Sequence, residues 1–203
     1  KEFYDFCIIG AGIVGIYLTI QLLQKNYKVL LIDSGPLKPK FGDEIGFYNE
    51  FPLFNYNGAI SGRKFGVGGT SDIWGGLLIP HSKYDLEQKG FEQSWGLIIR
   101  KVDAFKNKVL EDLSLNAEYF QIRDDLNSFC KNYPSFSKSY EPKIGVRLNS
   151  NLRNFKSLLN KIKSDRNLKV LYNATATIWS IDEIKKKKNI SSLTCKSPKK
   201  NTI

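Results

Sequence analysis

The sequence predicts an α/β fold organised around a βαβ unit, and three observations predict it. Residues Phe6 to Ile9 form a short apolar, partly β-branched run that ends at Gly10. A proline-free stretch from Ile13 to Gln24 follows, with Ile16, Ile20 and Leu23 on one side at helical spacing. A second apolar run, Lys28 to Ile32, closes the unit and ends at Asp33. Both apolar runs read as strands buried on two faces in a parallel sheet.

Gly10, Gly12 and Gly15 fall at the expected strand-to-helix junction with the spacing G-x-G-x-x-G. The first glycine permits a tight turn, the second leaves no side chain between backbone and an approaching diphosphate, and the third lets helix and strand come close. Ile13 opens the helix, whose N-terminal N–H groups and partial positive charge suit an anion. Asp33 and Ser34 then stand at the end of the second strand, where a carboxylate accepts hydrogen bonds from ribose hydroxyls and disfavours a 2′-phosphate. Strand, glycines, helix, strand and acid in this order define a Rossmann-like FAD/NAD(P)-binding fold and leave NAD and FAD as alternatives.

A second glycine-rich segment, "GRKFGVGGTSDIWGG" at 62–76, carries six glycines in fifteen positions. Such density excludes a regular helix or strand and brings backbone close to a flat or phosphorylated ligand, although a surface loop has the same composition. With the first fingerprint, this segment resembles the glucose-methanol-choline family of FAD-dependent oxidoreductases. There, an arginine precedes a Gly-Gly-Ser/Thr-Ser segment that wraps the pyrophosphate and flavin. The matching residues are Arg63, Gly68, Gly69, Thr70 and Ser71, followed by Trp74 and Gly75. The Trp-Gly-Gly version is similar to the branch acting on sugars and sugar acids. Ile73 stands where some relatives attach flavin through histidine, so the resemblance implies noncovalent FAD.

The connector "YDLEQKGFEQSWGL" at 84–97 is similar to one in the same family. Ile98, Val102, Phe105, Val109 and Leu113 then repeat as an amphipathic helix, and 114–150 is polar, aromatic and irregular. Leu152, Phe155, Leu158, Leu159 and Ile162 mark a further helix with Ser150 or Asn151 as N-cap. The segment from Asn167 to Asp182 reads as a strand, followed by a hairpin partner near Ser191 to Cys195. The resemblance places the adenine against the backbone at Ala176. The expected organisation is a first part of an FAD-binding domain at 1–96, a helical and irregular connector at 97–150, and a helix with a strand pair returning to that domain at 151–203.

The remaining composition limits the function classes. A net charge of +11 admits a nucleic-acid partner, but the lysines are scattered, and the densest run, Lys185 to Lys188, sits where a solvated hairpin tip is expected. No nucleic-acid partner is therefore expected. Cys7, Cys130 and Cys195 have neither disulfide-framework nor metal-ligand spacing, and no metal is expected. No apolar run approaches the roughly 18 to 20 residues of a membrane helix, and no targeting segment is read, which gives the expectation of a soluble cytoplasmic protein without a membrane partner.

The resemblance implies oxidation of a CH–OH group on a small-molecule alcohol or sugar, with hydride passing to FAD. It also implies a C-terminal domain of the same protein carrying the proton-accepting histidine pair. This chain has a single histidine, His81. No catalytic residue is assigned within the chain, which is expected to be truncated before the substrate domain is complete. A noncatalytic FAD-binding module and an NAD-dependent dehydrogenase are the alternatives.

Overall fold

The computed structural model describes residues 2–46, 61–79, 81, 92–115, 145–184 and 187–197. The connector residues 84–91, most of the irregular segment at 116–144 with Cys130, and residues 185 and 186 of the lysine run lie outside the described residues. The chain is mixed α/β, with a three-stranded parallel sheet and three small antiparallel pairs among the described residues. It divides into two compact units, 1–74 with 150–203, and 75–149.

The larger unit begins with β1 (Phe6–Ile9), α1 (Ile13–Leu23) and β2 (Val29–Ile32). β1 and β2 run parallel, pairing Phe6 with Val29 and Ile9 with Ile32. α1 buries Ile16, Thr19 and Leu23, and stops where Asn26 takes a left-handed φ of 62°. β3 (Lys40–Phe41) and β4 (Lys64–Phe65) form a short antiparallel pair, and Gly69–Asp72 is a 3₁₀ turn.

The smaller unit contains β5 (Leu77–Leu78), α2 (Glu92–Asp103), α3 (Lys106–Asp112) and β6 (Val146–Arg147), with β5 and β6 antiparallel. The single helix expected across 98–113 is therefore two, parted at Ala104 and Phe105. The buried face also differs from the expected one. Ile99, Leu110 and Leu113 are buried, whereas Ile98, Val102, Phe105 and Val109 of the expected stripe are exposed.

The chain returns to the larger unit through α4 (Ser150–Arg153), α5 (Lys156–Ile162) and β7 (Leu168–Leu171), then β8 (Thr175–Ile184) and β9 (Lys187–Lys196). The expected strand at 167–182 is thus also two. Asn173 takes a left-handed φ of 51°, so β7 leaves the parallel sheet and β8 enters the hairpin with β9. β7 joins β2 with Val29 opposite Leu168, giving the order β1-β2-β7. Extra residues at Thr177 on β8 and Ser191 on β9 shift the hairpin register twice, as bulges do.

Alternation along β2 sorts the two faces of the sheet. Val29 and Leu31 are fully buried on the α1 side, where Ile8 also points. On the other side Ile32 packs with Ala174 and Cys195, joined by Leu30, Leu171, Ala176 and Leu193 of the sheet and hairpin. Helices, sheet and hairpin form three layers, and the core follows β2. β1 departs from the expected two-sided burial: Ile8 is buried, but Phe6, Cys7 and Ile9 are exposed. The reason is position, because among the described residues β1 is the sheet edge and the hairpin covers β2 and β7.

Candidate functional site

The carboxyl ends of β1 and β2 carry the two sequence features singled out first, Gly10 and Asp33. In open α/β sheets, ligands sit in the crevice outside such strand ends. Gly10 makes the turn with a left-handed φ of 101°, and its N–H donates to the Ile32 carbonyl at 2.7 Å, closing the end of the sheet. A Cβ on Gly15 would lie 1.8 Å from the Gly10 carbonyl oxygen and 3.4 Å from Ile8 Cγ2, so only glycine lets α1 approach the sheet this closely. Gly12 is the N-cap of α1 and behaves differently: a Cβ built there meets nothing within 4 Å. No side chain caps α1 and no acid stands in its first turn, a helix start whose chemistry is compatible with an anion.

The second glycine segment lies against the first. Gly68 donates its N–H to the carbonyl of Ala11 at 2.8 Å, and a Cβ on Gly69 would lie 3.3 Å from Gly12 Cα. Ser71 holds the segment from below. It is 2% exposed, donates from Oγ to the Gly68 carbonyl at 2.5 Å and accepts the Phe155 N–H at 3.1 Å. Asp72 pairs with Lys64 Nζ at 2.5 Å and accepts from Asn154 Nδ2 at 2.9 Å. Trp74 Nε1 donates to the Arg153 carbonyl at 2.6 Å. The turn at 68–74 is thereby fastened both to the first glycine loop and to the α4–α5 junction.

Among the residues expected from sequence, Gly10, Gly12, Ile13 and Gly15 adjoin Gly68 and Gly69 in this arrangement, with Ser71 and Trp74 as its supports. Thr70 and Arg63 are exposed, and Ser34 is half-buried in the turn after β2. Gly75 belongs to the other compact unit. Ala176 sits on β8 opposite Cys195, against the Ile32 cluster. Asp33 is only 6% exposed, and both oxygens already accept backbone N–H groups, Oδ2 from Ala11 at 2.6 Å and Oδ1 from Gly35 at 2.8 Å.

Several participants were not singled out from sequence. Ala11 presents no side chain of note, and its role lies in its peptide groups. Gly35 packs backbone to backbone against the second segment, where a Cβ would lie 2.3 Å from the Phe65 carbonyl carbon. Asn154 bridges Asp72 and the Lys156 N–H. Only Gly35 had a visible signal, as a glycine two residues after Asp33.

Burial pushes the Tyr172 hydroxyl up, so it stays protonated at neutral pH. Burial also raises the Cys7 and Cys195 thiols, with Cys195 adding to the effect on Cys7. In the smaller unit His81 meets Trp95 edge to face, with 6.3 Å between ring centres. It lines a cavity of about 340 Å³ with Leu77, Ile79, Ile99, Val102 and Lys106. Among the described residues no group of His, Cys, Asp and Glu is placed to hold a metal, and no helix is long and apolar enough to cross a membrane.

The described residues define a mixed α/β protein in which two glycine-rich segments meet at the carboxyl ends of its parallel strands. Compared with known proteins, the chain matches no protein-family model and no curated sequence.

Proposed function

We propose that this chain binds FAD noncovalently through a Rossmann-like unit and forms the cofactor-binding part of an oxidoreductase acting on CH–OH groups. The observation that carries the reading is the apposition of the two glycine segments, Gly68 N–H on the Ala11 carbonyl and Gly69 beside Gly12. One segment alone is a common turn. Two in contact, with open space in front of Gly12 and an uncapped helix behind it, suit a diphosphate flanked by main chain.

In this reading the N–H groups at Ile13 and beyond bind the diphosphate, and the 68–71 turn covers it. Asp33 stands at the end of β2, on the ribose side of the site. Backbone at Ala176 meets the adenine, and Arg63, Thr70 and Trp74 belong to the flavin side, as in the resembling family. Bound FAD supplies the hydride acceptor for oxidation of a small-molecule alcohol or sugar. The proton acceptor comes from polypeptide beyond these residues, and the protein works in the cytoplasm without nucleic acid or membrane.

Calorimetric titration with FAD and, separately, NAD tests the cofactor. Saturable binding of FAD with NAD weaker is expected; preference for NAD favours a nicotinamide-dependent dehydrogenase. Bleaching of flavin absorption by sugars or aliphatic alcohols in the complete protein tests the reaction. Retained flavin that no alcohol bleaches identifies a noncatalytic flavin module.

A further inference from the structure

We infer that Asp33 is the positioning residue of the diphosphate cradle, setting the relative placement of its two halves through Ala11 rather than chiefly reading the ribose. The inference rests on the dinucleotide reading for its ligand and on the geometry for the linkage. Ala11 is fully buried. Its N–H donates to Asp33 Oδ2 at 2.6 Å and its C=O accepts from Gly68 N–H at 2.8 Å. One residue is thus gripped from both ends, by the carboxylate after β2 and by the turn of the second glycine segment. Gly12, where a ligand meets bare backbone, is the next residue.

The carboxylate is itself well anchored. Its residue donates its main-chain N–H to the Leu171 carbonyl and accepts the Ala174 N–H, each at 2.9 Å. Its other oxygen holds the Gly35 N–H at 2.8 Å. In turn, the Gly35 carbonyl accepts the Asn173 N–H at 2.9 Å. Asp33 therefore ties the glycine loop after β1 to the turn that leads from β7 into the hairpin, and through Ala11 to the 68–71 turn. Acceptor-only chemistry is required, because both partners are donors. Asparagine has one acceptor oxygen and an NH₂ group, so in Asp33→Asn a donor would face the N–H of Ala11 or Gly35 and leave it unpaired.

The test uses two probes, ADP and 2′,3′-dideoxy-ADP, which share the diphosphate and differ in the ribose hydroxyls. Wild-type protein is expected to bind them within about threefold of each other, and Asp33→Asn to weaken both by the same factor, about tenfold. If dideoxy-ADP binds wild type more than about tenfold worse than ADP, and Asp33→Asn costs nothing further with that probe, ribose contact is the role of Asp33 and the inference is overturned.

A second readout needs no ligand. In Asp33→Asn, or in Asp33→Glu if the first variant does not fold, the backbone amide resonances of Ala11, Gly35 and Gly68 are expected to move together. A stationary Gly68 resonance beside a displaced Ala11 resonance refutes the relay. Wild type that binds neither probe nor FAD refutes the dinucleotide reading, and the amide resonances still decide the role of Asp33.

Discussion

The carbonyl oxygen of Gly10 lies 1.8 Å from where a Cβ on Gly15 would stand. Two residues further on in the same loop the situation reverses, since a Cβ on Gly12 meets only open space. Glycines of one motif thus differ in their surroundings, one pressed against backbone and one facing open space.

That contrast predicts opposite phenotypes. Gly15→Ala forces α1 off the sheet and is expected to cost on the order of 3 kcal/mol, read as a lower urea midpoint. Gly12→Ala has an extended φ of −81° and ψ of −167° that alanine adopts, so stability should change by less than about 1 kcal/mol. Its new methyl occupies the approach to the helix N-terminus, and FAD affinity should fall about tenfold or more. A Gly12→Ala protein with wild-type FAD affinity removes the diphosphate from this loop.

Ser71 predicts a stability effect without any ligand. Its hydroxyl both accepts the Phe155 N–H and donates to the Gly68 carbonyl, and it is 2% exposed. Ser71→Ala leaves a buried N–H without an acceptor, and a loss of about 1–3 kcal/mol in chemical denaturation is expected. A neutral result means that the α4–α5 junction does not depend on the glycine-rich turn.

The features legible in the sequence are those encoded within a few residues. Gly10, Gly12 and Gly15, the run Val29–Ile32 and the helix on Ile16 and Leu23 stand where local spacing places them, because turn, strand and helix periods are local properties. The illegible features depend on distant partners. The Asn173 N–H is held by the Gly35 carbonyl, and this contact divides one apolar stretch into β7 and β8. Burial of Ile99 and Leu110 rather than Val102 and Val109 is likewise set by what packs on the two helices, not by their spacing. In the site, Asp33 was legible as an acid at a strand end, but its two backbone partners were not, because Ala11 and Gly35 carry no side-chain chemistry to signal the contact.

The start of the chain predicts a pH effect. Hydrogen bonds from Lys169 and Tyr4, with the Lys169 charge, bring the Glu2 carboxyl from its ordinary 4.5 to about 2. A carboxyl whose folded value lies below its unfolded one adds stability that is present above about 4.5 and disappears as pH falls toward 2. Both partners are half exposed, so salt screens the effect. An NMR titration should find the Glu2 midpoint near 2 at low ionic strength. It should move back toward 4.5 in Lys169→Gln or in about 1 M salt.

Among the described residues β1 is the edge of the parallel sheet, and this edge predicts self-association. Phe6 is 41% and Ile9 59% exposed on opposite faces of β1, and Val14 and Leu18 of α1 are exposed as well. The strand bears no charge, no proline and no bulge, the devices by which edges avoid pairing with other chains. Sedimentation at rising protein concentration should therefore show association of this 203-residue chain. Ile9→Lys should reduce it with little change in melting temperature, because the side chain it replaces is more than half outside the core. Since Ile9 immediately precedes Gly10, the same variant checks independence of the two features. If Ile9→Lys abolishes association and leaves FAD affinity intact, the apolar edge and the glycine loop act separately. A wild-type chain that stays monomeric throughout shows that β1 needs no further cover.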